Sequence, residues 1–304
     1  TVTLFKRKVD VLLFDVTTLY FESVDKDTLR DFGYSKDCKF KQVQVVLALM
    51  TTTDGTPISY ELFPGNTSES KTLVKVIETL KDRFELEHVV LVADRAMFNE
   101  DNLTKMESSK VKYVVASKLR SLKKEIKETI LNSSTYKLRE VCNEAHWINE
   151  FEINNQRRLI VSYSSLRARK DRADREHIIE NLKKNVKDGK LKITEIIHNK
   201  GVRKYITCAK NEATINEDKI TQDAQWDGLH GVITNVQDEY ASQLLARYRD
   251  LWKIEEAFRF NKHDLKMRPI NHWTSRRVRA HIAICYVAFA LLSYARLRLK
   301  EKKM

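Results

Sequence analysis

The first 118 residues carry short runs of consecutive apolar side chains, each closed by polar or turn-forming residues. Runs of four to eight such residues fit buried strands better than helices. They predict strands over Val11–Thr17, Gln42–Met50, Ile58–Phe63, His88–Asp94 and Tyr113–Ser117. Thr53-Asp-Gly-Thr-Pro57 is a hairpin turn signal between the second and third. Pro64-Gly-Asn-Thr breaks the chain, and Thr67 or Ser68 can cap a helix running to about Phe84. Asn99–Ser108 has a helical pattern. Three strands, helix, strand, helix, strand predicts an α/β fold.

Beyond Leu119 the apolar pieces become smaller and more scattered. Leu159–Tyr163, Tyr205–Ala209 and Gly231–Thr234 are expected strands, and a basic helix is expected near 167–187. Helical periodicity returns from about Ser242 to His263 and again over Thr274–Leu299. The expected organisation is a core over 1–118 and 244–304, interrupted by a large, mainly β insertion over 119–243. Seven glycines and three prolines leave little linker. Ile282–Ala295 is strongly apolar but short for a membrane span and bracketed by Arg279, His281 and Arg296, so a buried core helix is expected.

The segment Tyr248–Lys262, taken as one helix, sets Tyr248, Glu255 and Lys262 seven residues apart, on one stripe. Arg259 lies one turn from Glu255. Leu251, Ile254 and Phe258 recur at core spacing. A carboxylate flanked by a phenol and two cations suits a phosphate-handling site. The neighbouring Glu256 lies about 100° round the helix and is expected at the surface. Asp15 and Asp94 each close an apolar run. Taken singly, such residues cap turns. Taken together with Glu255 they make an acidic triad, and oxygen-only ligands suit Mg²⁺ or Mn²⁺ rather than zinc.

Charge and cysteine usage narrow the choice. The formal net charge is +13, and between Arg157 and Lys210 sixteen Lys and Arg face six Asp and Glu. That concentration favours a surface for a phosphate backbone. Cys38, Cys142, Cys208 and Cys285 are scattered without a C-x-x-C pair, which suggests neither zinc site nor disulfide framework and fits a reducing cytosol. The eight histidines show no ligand spacing, and His281 is expected as a hydrogen-bonded core residue. Asp37 and Asp54 are expected in turns.

These segments resemble the DDE transposases of the bacterial insertion sequence 4 type. That family has a Tyr, Arg, Glu, Lys signature with two, three and six intervening residues. Here the spacing selects Tyr248, Leu251, Glu255 and Lys262, with Leu251 in the place of the arginine. Asp15-Val-Thr-Thr, Gly33-Tyr-Ser-Lys-Asp37, Pro64-Gly-Asn66, Val92-Ala-Asp-Arg95, the Arg167–Glu176 stretch and Trp226–Asn235 also look family-like, in the family's order.

The resemblance implies an RNase H-like core, a mixed sheet flanked by helices. Asp15, Asp94 and Glu255 would hold two Mg²⁺ or Mn²⁺ ions. The activity implied is cleavage at transposon ends and strand transfer to target DNA. Tyr248, Arg259 and Lys262 would contact DNA, as would Arg167, Arg169, Lys170 and Arg172 in the insertion. Trp226 either receives a base flipped out near the transposon end or packs at the turn above Gly228. The implied partners are terminal inverted repeats, target DNA and a second copy of the chain in a synaptic complex, with no membrane. Family members usually carry a helical DNA-binding region ahead of this core, so the chain is read as the catalytic part. Two alternatives stay open: a nuclease of the same fold that does not join strands, and an inactive remnant that only binds DNA. Leu251 is expected to pack inward, with Arg247 or Arg249 approaching the DNA.

Overall fold

The computed structural model describes residues 9–35, 41–83, 89–97, 99–154, 156–184, 186–187, 190–191, 200–209 and 212–302. The turn expected at Asp37, the cysteine at position 38, the helix end at Phe84 and the strand start at His88 lie outside the described residues.

The chain begins with β1 (Val11–Tyr20), β2 (Gln44–Thr51) and β3 (Pro57–Pro64). Helix α1 (Glu69–Arg83), β4 (Val90–Ala93), α2 (Glu100–Ser108) and β5 (Lys112–Ala116) follow. Next come α3 (Lys124–Leu131), β6 (Lys137–Val141), β7 (Glu144–Asn154), β8 (Arg157–Tyr163) and α4 (Ser165–Lys184). Short elements continue: β9 (Val186–Lys187), β10 (Lys190–Leu191), α5 (Lys200–Arg203), β11 (Ile206–Ala209), β12 (Glu212–Ile215), α6 (Glu217–Ala224) and β13 (Leu229–Thr234). The chain closes with α7 (Ala241–Arg249), α8 (Trp252–His263) and α9 (Ser275–Glu301).

Two compact units result: residues 1–118, 151–159 and 232–304, and residues 119–150 and 160–231. In the first unit the strands lie in the order β3-β2-β1-β4-β5-β13. β1 is antiparallel to β2 and parallel to β4; β4 is parallel to β5, and β5 antiparallel to β13. Strands buried on both faces read as continuous apolar runs, which is why β1, β2 and β4 are legible as such. Alternate residues of β1 serve opposite faces. Leu12, Phe14 and Val16 join Leu91 and Ala93 of β4 in one core with Leu73, Val76 and Ile77 of α1 and Leu103 and Met106 of α2. The opposite face of β1 and β2 is covered by α8, and β4 and β5 are covered by α7.

The hairpin between β2 and β3 turns at Asp54-Gly55, where Gly55 has φ +83° and Asp54 accepts the Thr56 N–H. Gly33 and Gly65 are fixed by close packing. A Cβ on Gly65 would lie 2.1 Å from the Gln44 carbonyl oxygen, and one on Gly33 would lie 2.1 Å from that of Gly65. Asn66 donates to Asp31 at 2.8 Å, so the Pro64-Gly-Asn66 stretch ties the β3–α1 connection to the segment after β1.

Two expectations are corrected. The helix expected over 242–263 is two helices, parted at Asp250-Leu251. Around this junction the bonds tighten to three-residue spacing: Leu251 N–H to Tyr248 O at 3.1 Å, Lys253 N–H to Asp250 O at 3.0 Å, and Ile254 N–H to Leu251 O at 3.1 Å. Lys253 also donates to Thr53 O of the β2–β3 turn at 2.6 Å and pairs with Asp250 at 2.7 Å, which pins the junction. The apolar C-terminal helix is not a buried core helix. Val278, Ile282, Cys285 and Phe289 of α9 are buried, whereas Ile284, Val287, Leu291 and Leu299 are exposed. Length and hydropathy alone would let α9 cross a bilayer. Its buried side nonetheless packs against α8 and β3.

In the second unit, Cys142 and Asn143 take φ +50° and +63° and make the tight turn between β6 and β7. Helix α4 is docked by two residues one turn apart: Asp171 accepts the Gly228 N–H at 3.0 Å, and Arg175 makes a two-pronged pair with Asp227. Gly228 has φ +79°, and a Cβ there would lie 2.7 Å from the Tyr163 ring.

Candidate active site

Strand register brings the first two carboxylates together. Leu13 pairs with Val92 and Phe14 with Ala93 in the parallel β1–β4 ladder. One step further along both chains stand Asp15 and Asp94. Phe14 and Ala93 belong to the core on the α1–α2 side, so by alternation Asp15 and Asp94 project to the other face. That is the face on which α7 and α8 lie. Asp15 is half-buried and accepts the Val16 N–H at 2.7 Å, while Asp94, just past the end of β4, is exposed.

Helix α8 brings the third. Leu251, Ile254, Ala257, Phe258 and Asn261 are buried and seat the helix. Glu255 emerges at one edge of that seam, exposed, and the half-buried Lys262 shares its azimuth to within about 20°. Glu256 lies about 100° round the helix from Glu255. It pairs with Arg259 at 3.7 Å, and both border a cavity of about 380 Å³ with Thr53, Phe260 and Arg296. Arg259 stands one turn past Glu255, about 40° round the helix from it.

Tyr248 lies before the helix break, on α7 rather than on the helix that carries Glu255. Its hydroxyl donates to Asp94 Oδ1 at 3.3 Å. Sequence spacing missed this bond, because it links positions 154 residues apart through the fold. Leu251, in the place of the signature arginine, is 7% exposed and packs inward as expected. Arg247 is engaged with Glu239 at 2.7 Å, and Arg249 is exposed.

Among the described residues no three His, Cys, Asp or Glu side chains stand in range of a single ion. The donor set has the chemistry for a hard divalent cation: one carboxylate in β1, a second just past the end of the neighbouring β4, and a third on the helix packed against β1.

In the second unit Trp226 is half-buried in its turn. Its carbonyl accepts the Leu229 N–H at 3.2 Å, and the Arg120 guanidinium lies 6.0 Å from its ring centre. Arg120 in turn pairs with the buried Asp223 at 2.9 Å. Arg169, Lys170 and Arg172 are exposed on α4, as is Arg167, which reaches Asp171 at 3.7 Å. In the first unit, the Asn235 side chain extends the β5 ladder, accepting Tyr113 N–H at 2.8 Å and donating to Val111 O at 2.9 Å.

No curated protein matches the sequence. Among solved structures the chain is similar to the piggyBac transposase in a synaptic complex with hairpin DNA: 11% identity, TM-score 0.52, over 97% of this chain and 48% of that one. The chain thus spans about half the length of that transposase. A second similarity, to the Mos1 transposase paired-end complex, has 16% identity and a TM-score of 0.25 over 37% of this chain and 38% of that one. Residues 6–292 match the Transposase DDE domain, and the chain belongs to that family.

Proposed function

We propose that this chain is the catalytic part of a DNA transposase, cutting at the ends of an insertion sequence and joining them to target DNA. The observation that carries this reading is the parallel β1–β4 register, which ends one step before Asp15 and Asp94, with α7 packed on β4 and the helix bearing Glu255 packed on β1. The DDE transposase family uses divalent metal ions. We assign Asp15, Asp94 and Glu255 as their ligands here, with Mg²⁺ or Mn²⁺ as the ions and two per site. Such ions would supply an activated water or 3′-hydroxyl and stabilise the leaving 3′-oxygen.

The other assignments follow from position. Lys262, on Glu255's side of α8, contacts a DNA phosphate near the scissile bond. Arg249, exposed in the last turn of α7, takes the part that Leu251 cannot play. Arg167, Arg169, Lys170 and Arg172 hold the end of the element, and Trp226 supplies a stacking surface for an unpaired base. Arg259 contributes a further phosphate contact. The partners are double-stranded DNA bearing terminal inverted repeats, target DNA and a second copy of the chain.

Asp15→Asn, Asp94→Asn and Glu255→Gln should each abolish Mg²⁺-dependent cleavage while leaving DNA binding largely intact. Substantial cleavage by one of them removes that residue from the ligand set. A strand-joining assay separates a transposase from a nuclease of the same fold. Buried Leu251 in the signature favours one further reading, a remnant that binds DNA without cutting it. Absence of metal-dependent nicking by the unaltered chain would establish that reading.

A further inference from the structure

We infer that Tyr248 is a positioning residue for the carboxylate of Asp94 rather than a contact for DNA phosphate. The inference rests on the reading of Asp94 as a metal ligand. Three observations carry it. Helix α7 packs across β4 and β5, which brings its last turn over the end of β4. The tightened junction at Asp250-Leu251 places Tyr248 on a separate helix from Glu255 and Lys262. The Tyr248 hydroxyl then donates to Asp94 Oδ1 at 3.3 Å.

A phenol carries one proton. Phosphate oxygens accept and do not donate, so the proton given to Asp94 is withheld from DNA. Asp94 is exposed and stands just beyond its strand, where its carboxyl can rotate unless something holds it. The bond to Oδ1 restrains the rotation of the group and leaves Oδ2 outside that bond. Outer partners of metal ligands contribute about 10–100-fold in metal affinity.

The test compares Tyr248→Phe with the unaltered full chain in two measurements. One is a Mn²⁺ titration followed by electron paramagnetic resonance without DNA. The other is DNA binding in EDTA over a range of salt. Tyr248→Phe should weaken Mn²⁺ binding about tenfold or more and leave both DNA affinity and its salt dependence unchanged. Tyr248→His, which returns a ring N–H to the position, should bind Mn²⁺ more tightly than Tyr248→Phe. Mn²⁺ affinity within twofold of the unaltered chain in both variants, with weaker DNA binding and a shallower salt slope, would overturn the inference and make Tyr248 a phosphate contact. Asp94→Asn separates the ligand assignment from the role of Tyr248. If that variant binds Mn²⁺ like the unaltered chain, the ligand assignment itself fails and the inference falls with it. If it loses Mn²⁺ while Tyr248→Phe does not, only the role of Tyr248 is wrong.

Discussion

Leu251 occupies the position where the Tyr, Arg, Glu, Lys signature has its arginine, and it is packed into the seam that seats α8. A guanidinium there would have to enter an apolar seam or force the seam apart, and either is costly. Leu251→Arg should therefore destabilise the chain by about 2–4 kcal/mol rather than improve DNA binding. A urea midpoint equal to that of the unaltered chain, with tighter end binding, would show instead that the arginine's place is open and merely vacated. Gly65 makes a similar claim on backbone space. With its Cβ position 2.1 Å from the Gln44 carbonyl oxygen, Gly65→Ala should cost about 1–3 kcal/mol in chemical denaturation. A smaller loss would mean that the segment after β1 shifts aside without penalty.

At the scale of elements, charge decides what α4 does. Its Asp171 and Arg175 are committed to the Asp227-Gly228 turn, while Arg169, Lys170 and Arg172 stay exposed. Reversing those three to glutamate should lower DNA affinity and reduce the slope of log K against log salt by about 0.9 for each phosphate that no longer meets a cation. An unchanged slope would make this only a solvated helix face. Asp223 of α6 ties the same unit together. It is 2% exposed and meets Arg120 at 2.9 Å, Lys204 at 2.6 Å, Lys219 at 3.1 Å and the Tyr205 hydroxyl at 3.0 Å. Burial alone would raise its carboxyl, but these partners outweigh burial and hold it well below the usual carboxylate range. A carboxylate lowered in the folded state stabilises above its unfolded value of about 3.9, and that contribution is lost as pH falls towards the folded value. Asp223→Asn should thus cost about 1–3 kcal/mol at pH 7, and the gap should narrow at pH 3. A gap independent of pH would mean that the carboxylate's charge contributes nothing.

The elements also differ in how far the sequence conveys them. The strands β1 to β5 are legible because consecutive apolar residues mark buried strands, and the basic helix because its charges cluster. The break between α7 and α8 is not, because no glycine or proline marks it. It depends on Lys253 reaching Thr53, two hundred positions away. The one-sided burial of α9 is hidden for a related reason: an apolar sequence does not say which face finds a neighbour. Asp15, Asp94 and Glu255 can be singled out from strand ends and signature spacing. That Tyr248 turns to Asp94 can be read only from the folded chain.

For the whole molecule, the central claim is that two adjacent strands and the helix above them assemble one metal-dependent DNA-cutting site. The fold is shared with piggyBac transposase over nearly the full chain, at an identity low enough that only the architecture carries over. Activity therefore has to be read from this chain's own residues. The most direct measurement is Mn²⁺-dependent nicking of a supercoiled plasmid carrying the DNA on either side of the gene, compared between the unaltered chain, Glu255→Gln and Glu256→Gln. The unaltered chain should nick only with metal, Glu255→Gln should lose at least about a hundredfold, and Glu256→Gln, whose side chain lies about 100° round α8 from Glu255, should change little. Nicking that survives in Glu255→Gln, or is lost in Glu256→Gln instead, would contradict the claim.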